Sequence, residues 1–470
     1  MSPTPVGPPQ RLGGLPPRIV ALAEAVAHAS GRLLVVGGFV RDACLGRVAR
    51  DLDLEICDLS QQRARGVLEA AGFEVREGVG KAFPVWLVRG GGLEPFEVSL
   101  PEPSDEADFA VRVTERARRR DLTINAMAYE PRTGCWYDAH GGMADLLARR
   151  LRAVDPGRFG EDPLRLVRVA RFAASLGAWP DDALIACCRG LDLSSVPPER
   201  LHTELDRLLI ERDPAAGLEC LRLLGGLRWF PELDALVDVP QDLRWHPEGC
   251  VWTHTCMVVG EASQLRDAAA AASEADRRLM WAALLHDLGK PETTEVTADA
   301  IRSSGHDSRG GQLARAMLER LRAPEVRIAA VEALVRHHLA PAMLIRQAST
   351  DRGFRRLARR LGEAGVDAEL LHRVARADHL GRTTEEALAR SFVAGDEFLA
   401  RMAALDTLVG PPPTLVRGRD VVAAGLAPGP EVGRVLERCA EIQDETGSQD
   451  AAAILEQALA EHRSEPVTRG

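Results

Sequence analysis

Lysine is almost missing from this 470-residue chain. It occurs only at Lys81 and Lys290, so nearly all positive charge is arginine. Aromatic residues make up 4%, which limits any recognition that stacks bases on aromatic platforms. No apolar stretch approaches the roughly 18 residues of a membrane span. Residues 1–17 are rich in Pro and Gly and lack the apolar run of a secretory signal, so they read as a flexible leader. The nine cysteines are odd in number, scattered, and form no CxxC pair. That argues against a disulfide framework, a disulfide-linked partner or a zinc knuckle, and points to the cytoplasm. A net charge of −10 excludes a uniformly basic nucleic-acid coat.

Hydrophobic residues reach 46%, enough for substantial cores. At roughly 150 residues per domain the length suggests about three domains. Arginine is clustered at 112–120 (RVTERARRR) and at 352–360 (RGFRRLARR). In the second cluster Arg352, Arg355, Arg356, Arg359 and Arg360 share a helical face opposite Phe354, Leu357 and Leu361. Such a face suits either solvent or phosphate.

Along the chain, 18–30 reads as a helix, RLLVVGG (32–38) as a buried strand ending in two glycines, and DLDLEI (51–56) as an alternating strand. A helix near 61–71, strands near 73–77, 83–89 and 95–99, and the apolar piece at 124–129 complete a mixed α/β unit. From about 144 strand signals fade. DPLRLVRVARFAASLG (162–177) is strongly helical and stops at Gly177. Further helices run to about 235, a histidine-bearing helical region begins near His246, and Pro411–Pro413 form a hinge before a helical C-terminal segment.

Gly37 and Gly38 sit at a strand-to-helix junction, where missing Cβ atoms allow a ligand close to the backbone. Asp51 and Asp53 are two apart on the next strand, so both carboxylates face one side. Like charges so placed repel unless a cation neutralises them, and two-metal phosphoryl transfer uses such a pair. With these residues stand GGFVRDACLG, DLDLEI, RRRDLTINAMAY (118–129), AHGGMADL (139–146), EDPLRLVRVARFA (161–173) and PPERLHTEL (197–205). In that order over 31–210 they resemble the class II tRNA CCA-adding enzymes and bacterial poly(A) polymerases. The resemblance implies a polymerase β-like nucleotidyltransferase head with a mixed sheet, then a helical neck. It makes Asp51 and Asp53 the catalytic ligands of Mg²⁺. Gly37, Gly38, Arg41, Asp42, Arg119, Arg120, Asp121 and Asn125 become nucleotide-binding residues. Glu97 or Glu55 is the candidate for a third acidic position.

Asp162 and Arg165, three apart, share a face if both are helical. Carboxylate accepts hydrogen bonds and guanidinium donates them, which matches the amino group and ring nitrogen shared by cytosine and adenine. A guanine or uracil would leave groups unpaired at about 1–3 kcal/mol each. Arg168 and Arg171 belong to the same nucleotide-binding set. In the family a basic, polar flexible loop precedes the RRD motif. Here the stretch 99–117 (SLPEPSDEADFAVRVTERA) is short and begins acidic, and in such enzymes a shortened loop accompanies CC-only addition.

Six of the 12 histidines fall between His246 and His338. Imidazole with carboxylate suits first-row metals. The pattern His254, His286-Asp287, His306, His337, Asp378 resembles the HD phosphohydrolase domain, especially the one fused to some bacterial CCA-adding enzymes, where WHPEG, HTCMVV and HDLGK have counterparts. This implies His254, His286, Asp287 and Asp378 as ligands of a transition metal such as Ni²⁺, Mn²⁺ or Co²⁺. His306 and His337 are candidates for a second metal or phosphate site.

The expected organisation is a leader (1–17), head (18–150), helical nucleotide-recognition and neck domain (151–238), HD domain (239–395) and helical C-terminal segment (396–470). The expected activity is addition of CCA, or of CC only, to tRNA from CTP and ATP, with a metal-dependent phosphohydrolase and no membrane contact. A poly(A) polymerase and an HD hydrolase with an idle head remain the alternatives.

Overall fold

The computed structural model describes residues 11–48, 51–77, 85–100, 106–267, 272–410 and 413–464. Most of the expected leader, the acidic start of the 99–117 stretch at 101–105, and Pro411 and Pro412 of the expected hinge lie outside the described residues. The chain forms two compact units, 1–196 with 220–226 and 197–219 with 227–470.

The first unit runs α1 (Pro17–His28), β1 (Arg32–Val36), α2 (Gly38–Cys44), β2 (Asp53–Cys57), α3 (Gln61–Ala70), β3 (Phe73–Glu77), β4 (Val85–Gly90) and β5 (Leu93–Ser99). It continues with α4 (Phe109–Ala117), β6 (Ala128–Glu130), β7 (Cys135–Tyr137), α5 (Gly142–Leu147), β8 (Arg150–Leu151), α6 (Arg165–Leu176), β9 (Trp179–Pro180) and α7 (Asp182–Arg189). Seven strands form one sheet in the order β3-β4-β5-β2-β1-β6-β7. Only β2 and β5 are parallel; the other neighbours are antiparallel.

Sequence dictates this arrangement directly. β1 (RLLVV) is apolar almost throughout and lies near the sheet centre, covered on both faces. β2 alternates, burying Leu54 and Ile56 while Asp53 and Glu55 face the other side. The expected strand at 124–129 is shorter than its apolar run, because Thr123–Asn125 forms a 3₁₀ turn and pairing begins at Ala128. On α6, Leu166, Val167, Val169, Ala170, Phe172, Ala173 and Ala174 are buried, and left-handed Gly177 ends the helix.

The AHGGMADL motif builds a brace below the sheet. Gly141 adopts φ 75° before α5, and both Asp138 carboxylate oxygens accept backbone N–H groups of α5. Asp145, fully buried, accepts from Thr123 Oγ1 at 2.6 Å, Arg150 Nε at 2.7 Å and Arg152 Nε at 2.9 Å. A Cβ on Gly142 would stand 2.2 Å from the Thr123 carbonyl oxygen.

The second unit is helical: α8 (Pro198–Leu209), α9 (Pro214–Leu223, shared with the first unit), α10 (Pro231–Asp234), α11 (Val251–Gln264), α12 (Glu274–Leu285) and α13 (Lys290–Thr293). A short hairpin, β10 (Thr294–Val296) and β11 (Ile301–Ser303), precedes α14 (His306–Arg320), α15 (Glu325–His337), α16 (Ala340–Arg346), α17 (Asp351–Glu363) and α18 (Ala368–Leu380). The rest comprises α19 (Glu385–Leu388), α20 (Val393–Ala404), α21 (Gly418–Ala423), α22 (Pro430–Thr446) and α23 (Ala451–Ser464). A buried ion network ties α8, α12 and α15 together. Arg327 donates to Asp206 at 2.9 Å and to Glu274 at 2.7 Å, while Trp281 Nε1 also donates to Asp206.

Residues Glu325–Arg346 do reach the length and hydropathy of a membrane span, contrary to the expectation from apolar runs. The stretch is only partly buried, is interrupted between α15 and α16, and carries buried, ion-paired Arg327 and buried His338. The arginine face of α17 is present with Phe354, Leu357 and Leu361 buried opposite. Part of its charge is spent on α22, through Arg359 to Asp444 at 2.8 Å and Arg352 to Glu445 at 2.8 Å.

Gly142→Ala is expected to destabilise the first unit by about 1–3 kcal/mol, because the added methyl must displace backbone rather than a side-chain tip. Chemical denaturation monitored by circular dichroism checks this; an unchanged midpoint would show that the α5 packing is softer than the contact implies.

Candidate active sites

The first candidate centre lies where β1 ends. Val36 pairs with Asp53, and Asp53 stands in register with Glu97 on parallel β5. Gly37 then takes φ 75°, and a Cβ there would lie 2.9 Å from both Asp53 Oδ2 and an Arg120 nitrogen. Glycine is thus required for the carboxylate and guanidinium to approach the backbone turn. Arg120 also pairs with Glu55 at 3.1 Å.

Asp53 lies on the strand as expected, but Asp51 precedes it and is exposed. β1 turns away at Gly37, so residue 51 has no ladder partner. Burial pushes the Asp53 carboxyl up to about 6; Arg120 opposes this, while Glu97, Asp51 and Glu55 add to it. A carboxyl that burial and neighbouring acids keep from ionising, with further carboxylates near it, fits a hard divalent cation.

The neighbouring predicted residues form a relay. Arg41 donates to both Asp42 oxygens at 2.9 Å and to Asn125 Oδ1 at 2.7 Å. Asn125 Nδ2 donates to Asp121 Oδ1 at 2.9 Å, and Arg168 Nε to Asp121 Oδ2 at 2.8 Å. Asp121 is buried, yet Arg168 and Asn125 outweigh desolvation and hold it below the usual carboxylate range. The side chains of Arg41, Asp121 and Asn125 thus hold one another, and the RRD motif is braced against α6. Arg119 is exposed.

The helical premise for Asp162 and Arg165 needs correction. Asp162 is extended (φ −132°, ψ 100°) and α6 begins at Arg165, because Pro163 restricts the residue before it to extended conformations. Asp162 Oδ1 accepts from Leu164 N at 3.2 Å. The Arg165 guanidinium donates to the carbonyls of Arg158 at 2.8 Å and Arg119 at 2.6 Å. Arg171 lies against the Phe172 ring, 4.6 Å from its centroid.

The second candidate centre gathers histidines and carboxylates from α11, α14 and α18, from the ends of α12 and α15, and from the segment before α11. Among the described residues, three sets have ligand atoms within 4.8 Å of one another: His254, His286 and Asp378; Asp287, His306 and His338; and His246, Glu248 and His254. His254 Nε2 is 3.1 Å from Asp378 Oδ1, His286 Nε2 is 3.2 Å from Asp287 Oδ2, and His306 Nε2 is 3.5 Å from Asp287 Oδ1.

Local hydrogen bonds fix which nitrogens face inward. Nδ1 of His286, His306 and His338 meets the carbonyls of Ala283, Ser303 and Val335 at 2.9, 2.6 and 2.6 Å. A carbonyl only accepts, so each Nδ1 carries the proton, and a ring in its neutral form offers its Nε2 lone pair to the centre. His286 Nε2 is buried and lacks a hydrogen-bond partner, which is what a metal-ligating nitrogen awaits. Burial, with His306 and His286 beside it, lowers His338 to about 4, keeping that ring neutral. The donor set fits a divalent transition metal.

His337 is not part of this centre; His338 is. On α15 and its cap, Val331, Leu334, Val335 and His338 form one buried stripe, and His337 points about 100° away. Sequence reasoning also missed four supporting groups. Glu248 Oε1 lies 2.9 Å from Nδ1 of both His246 and His254. Lys290 Nζ is 2.7 Å from Asp287, and Arg382 is 3.0 Å from Asp378. WHPEG and HDLGK contained the signal for His246, Glu248 and Lys290; nothing local marked Arg382.

Comparison with known proteins gives three family matches. Residues 33–152 match the poly A polymerase head domain, 251–383 the HD domain, and 183–237 the "Probable RNA and SrmB- binding site of polymerase A". A Multifunctional CCA protein of Xanthomonas campestris is 34% identical over 430 residues, 86% of this chain and 96% of that protein. Its counterpart in Halorhodospira halophila is 40% identical over 314 residues, 62% and 69% respectively. A solved CCA-adding enzyme in complex with ATP matches the fold with TM-score 0.62 at 17% identity, covering 97% of each chain.

Because Asp53 titrates near 6, divalent-metal affinity at the first centre should fall about tenfold per pH unit below that value, since the proton and the cation compete for one carboxylate. Mn²⁺ titration followed by electron paramagnetic resonance at pH 5 and 7.5, with His286→Ala to silence the second centre, measures it. Equal affinity at both values would remove Asp53 from the ligand set.

Proposed function

The chain belongs to the class II CCA-adding nucleotidyltransferase family, in the branch that carries an HD domain, and from that premise we propose that it adds C and A to the 3′ end of tRNA from CTP and ATP without a template. The observation that carries this reading is Asp53, set against the Gly37 turn with Arg120, with Glu55 two residues on along β2 and Glu97 in register with Asp53 on β5.

In this reading Asp51 and Asp53 hold Mg²⁺, with Glu97 the better third acidic candidate because it stands opposite Asp53. When bound, the cation lowers the pKa of the attacking 3′ hydroxyl and neutralises the phosphates. Arg120, already within reach of Asp53, steadies triphosphate charge, as exposed Arg119 does from the next position. The relay through Arg41, Asp42, Asn125, Asp121 and Arg168 keeps Gly37–Gly38 and the RRD turn in fixed register. Asp162, just ahead of α6, reads the base, and Arg165 sets the start of α6. With few aromatics, tRNA is gripped through its phosphates by arginine.

The second centre supplies a phosphoesterase acting on phosphorylated or 2′,3′-cyclic RNA ends. Both domain types depend on divalent metals, and Ni²⁺, Mn²⁺ or Co²⁺ suit the imidazole-rich set here. His254, His286 and Asp378 hold one ion, with Asp287, His306 and His338 beside it. We place the domains at 18–150, 151–238 and 239–395, which the three matched spans support, and a helical C-terminal segment at 396–470. We place the enzyme in the cytoplasm, in keeping with nine unpaired thiols. α4 occupies Phe109–Ala117, so any flexible loop before the RRD motif is short. The curated relatives' naming as CCA proteins supports full CCA addition despite it.

Two tRNA transcripts, one lacking CCA and one ending in CC, should take up two Cs and one A, and one A, respectively, sized at single-nucleotide resolution. Two Cs alone would make this a CC-adding enzyme, and a long A ladder a poly(A) polymerase. Asp53→Asn should lower incorporation at least about a thousandfold while tRNA affinity stays unchanged, because the cation, not the RNA, loses its ligand. Asp162→Ala should cut discrimination against UTP and GTP by about ten- to a hundredfold, the value of one or two unpaired groups.

A further inference from the structure

A cavity of about 70 Å³ opens beside the histidine centre. Its floor includes Asp378 and His338, both in the metal-ligand sets. Met343 of α16 and Phe392, at the N-terminal cap of α20, give it an apolar side. Arg346, the last residue of α16, and Arg382, just after α18, give it a cationic side.

The two arginines differ in kind. Arg382 donates to both Asp378 oxygens at 3.0 and 3.1 Å, so its charge is matched by that carboxylate. Its Nε is nevertheless buried with no hydrogen-bond partner. Arg346 is exposed and makes no hydrogen bond or ion pair with any described residue. The carboxylates of the centre already have cations: Lys290 for Asp287 and Arg382 for Asp378. Arg346 is therefore surplus positive charge at a cavity whose acidic lining is already neutralised. An anion answers that surplus charge.

Size narrows the class of anion. Pockets that enclose a whole drug-sized or nucleotide-sized ligand run to about 300–1,000 Å³. This cavity takes a phosphoryl group and a few waters, not a base and sugar. On the phosphoesterase reading of the second centre, we propose that this cavity receives the terminal phosphate of a phosphomonoester, and that Arg346 is the residue that recognises it. The nucleoside or RNA end stays outside the cavity, against the rim. Arg346 is a binding and specificity residue, separate from the metal ligands. It favours a terminal monoester phosphate, with three free oxygens, over an internal diester, which has two and carries a chain on each side of phosphorus.

The test uses the full chain loaded with Mn²⁺ and inorganic phosphate as the probe. By titration calorimetry, Arg346→Ala should weaken phosphate binding by about ten- to a hundredfold, the worth of one charge-assisted hydrogen bond. Arg346→Lys should recover most of it, and manganese bound per chain should stay at the wild-type level. With adenosine 2′-monophosphate as substrate, Arg346→Ala should raise KM by a similar factor and leave kcat within about threefold. Unchanged phosphate affinity in Arg346→Ala, no phosphate binding by the wild type, or equal hydrolysis of the dinucleotide ApA would each overturn the proposal. Phosphate binding that depends on Arg346 with no ester hydrolysed at all would keep the cavity assignment and remove the phosphoesterase reading beneath it.

Discussion

A carboxylate taken out of water must be met by a cation or by aimed N–H groups, since an unmatched buried charge costs several kcal/mol. Both candidate centres are organised around that demand. Asp145 collects Thr123, Arg150 and Arg152, and so fixes α5 beneath the turn that carries Asp121 and Asn125. Asp121 collects Asn125 and Arg168, and so fixes that turn against α6. In the helical unit, Asp206 with Arg327 and Trp281 locks α8 to α12 and α15. The elements that supply the histidines rest on that lock.

The same demand explains why residues resembling a ligand-binding motif turn out to bind one another. Arg41, Asp42, Asp121 and Asn125 stand in sequence where a nucleotide would be expected to meet them. Arg41, Asp121 and Asn125 are buried, and the relay among all four makes their side-chain geometry a property of the fold. A motif can be invariant in type for this reason without each member touching the substrate. Exposed at the rim are Asp51, Arg119 and Glu97.

Much of this was legible in the chain. Alternation placed β2, the two glycines marked the end of β1, and the 3.6-residue period with Gly177 placed α6. Motif order identified both centres. What was not legible depended on where elements begin and on contacts far apart in sequence. Asp162 fell outside α6 because Pro163 forces the residue before it to be extended, a local signal that helical periodicity obscured. His337 and His338 are adjacent, and only the phase of the α15 stripe separates them; the buried series 331, 334, 335 could have chosen correctly. Arg382 pairs with Asp378 one helical turn earlier, yet its role depends on a cavity shaped by α15, α16 and Phe392, which no local pattern encodes. The stretch Glu325–Arg346 shows the opposite failure: its hydropathy alone resembles a span, while the structure divides it into two helices with a buried arginine and histidine.

The two centres treat surplus charge in opposite ways, and that difference bears on their metals. Around Asp53 the neighbouring groups are mostly anionic, and Arg120 alone does not offset burial and the adjacent acids, so the carboxyl rises to about 6. Such a site gains most from a hard, doubly charged ion held by oxygen. Around Asp287 and Asp378 the partners His286 and Lys290, and Arg382, outweigh burial and hold both carboxylates well below their usual range. Electrostatic need for a metal is smaller there, and affinity must come from directed nitrogen lone pairs. That is why carbonyl groups of Ala283, Ser303 and Val335 matter: by holding the Nδ1 protons they convert three histidines into preset Nε2 donors, the arrangement that favours a softer transition ion over magnesium.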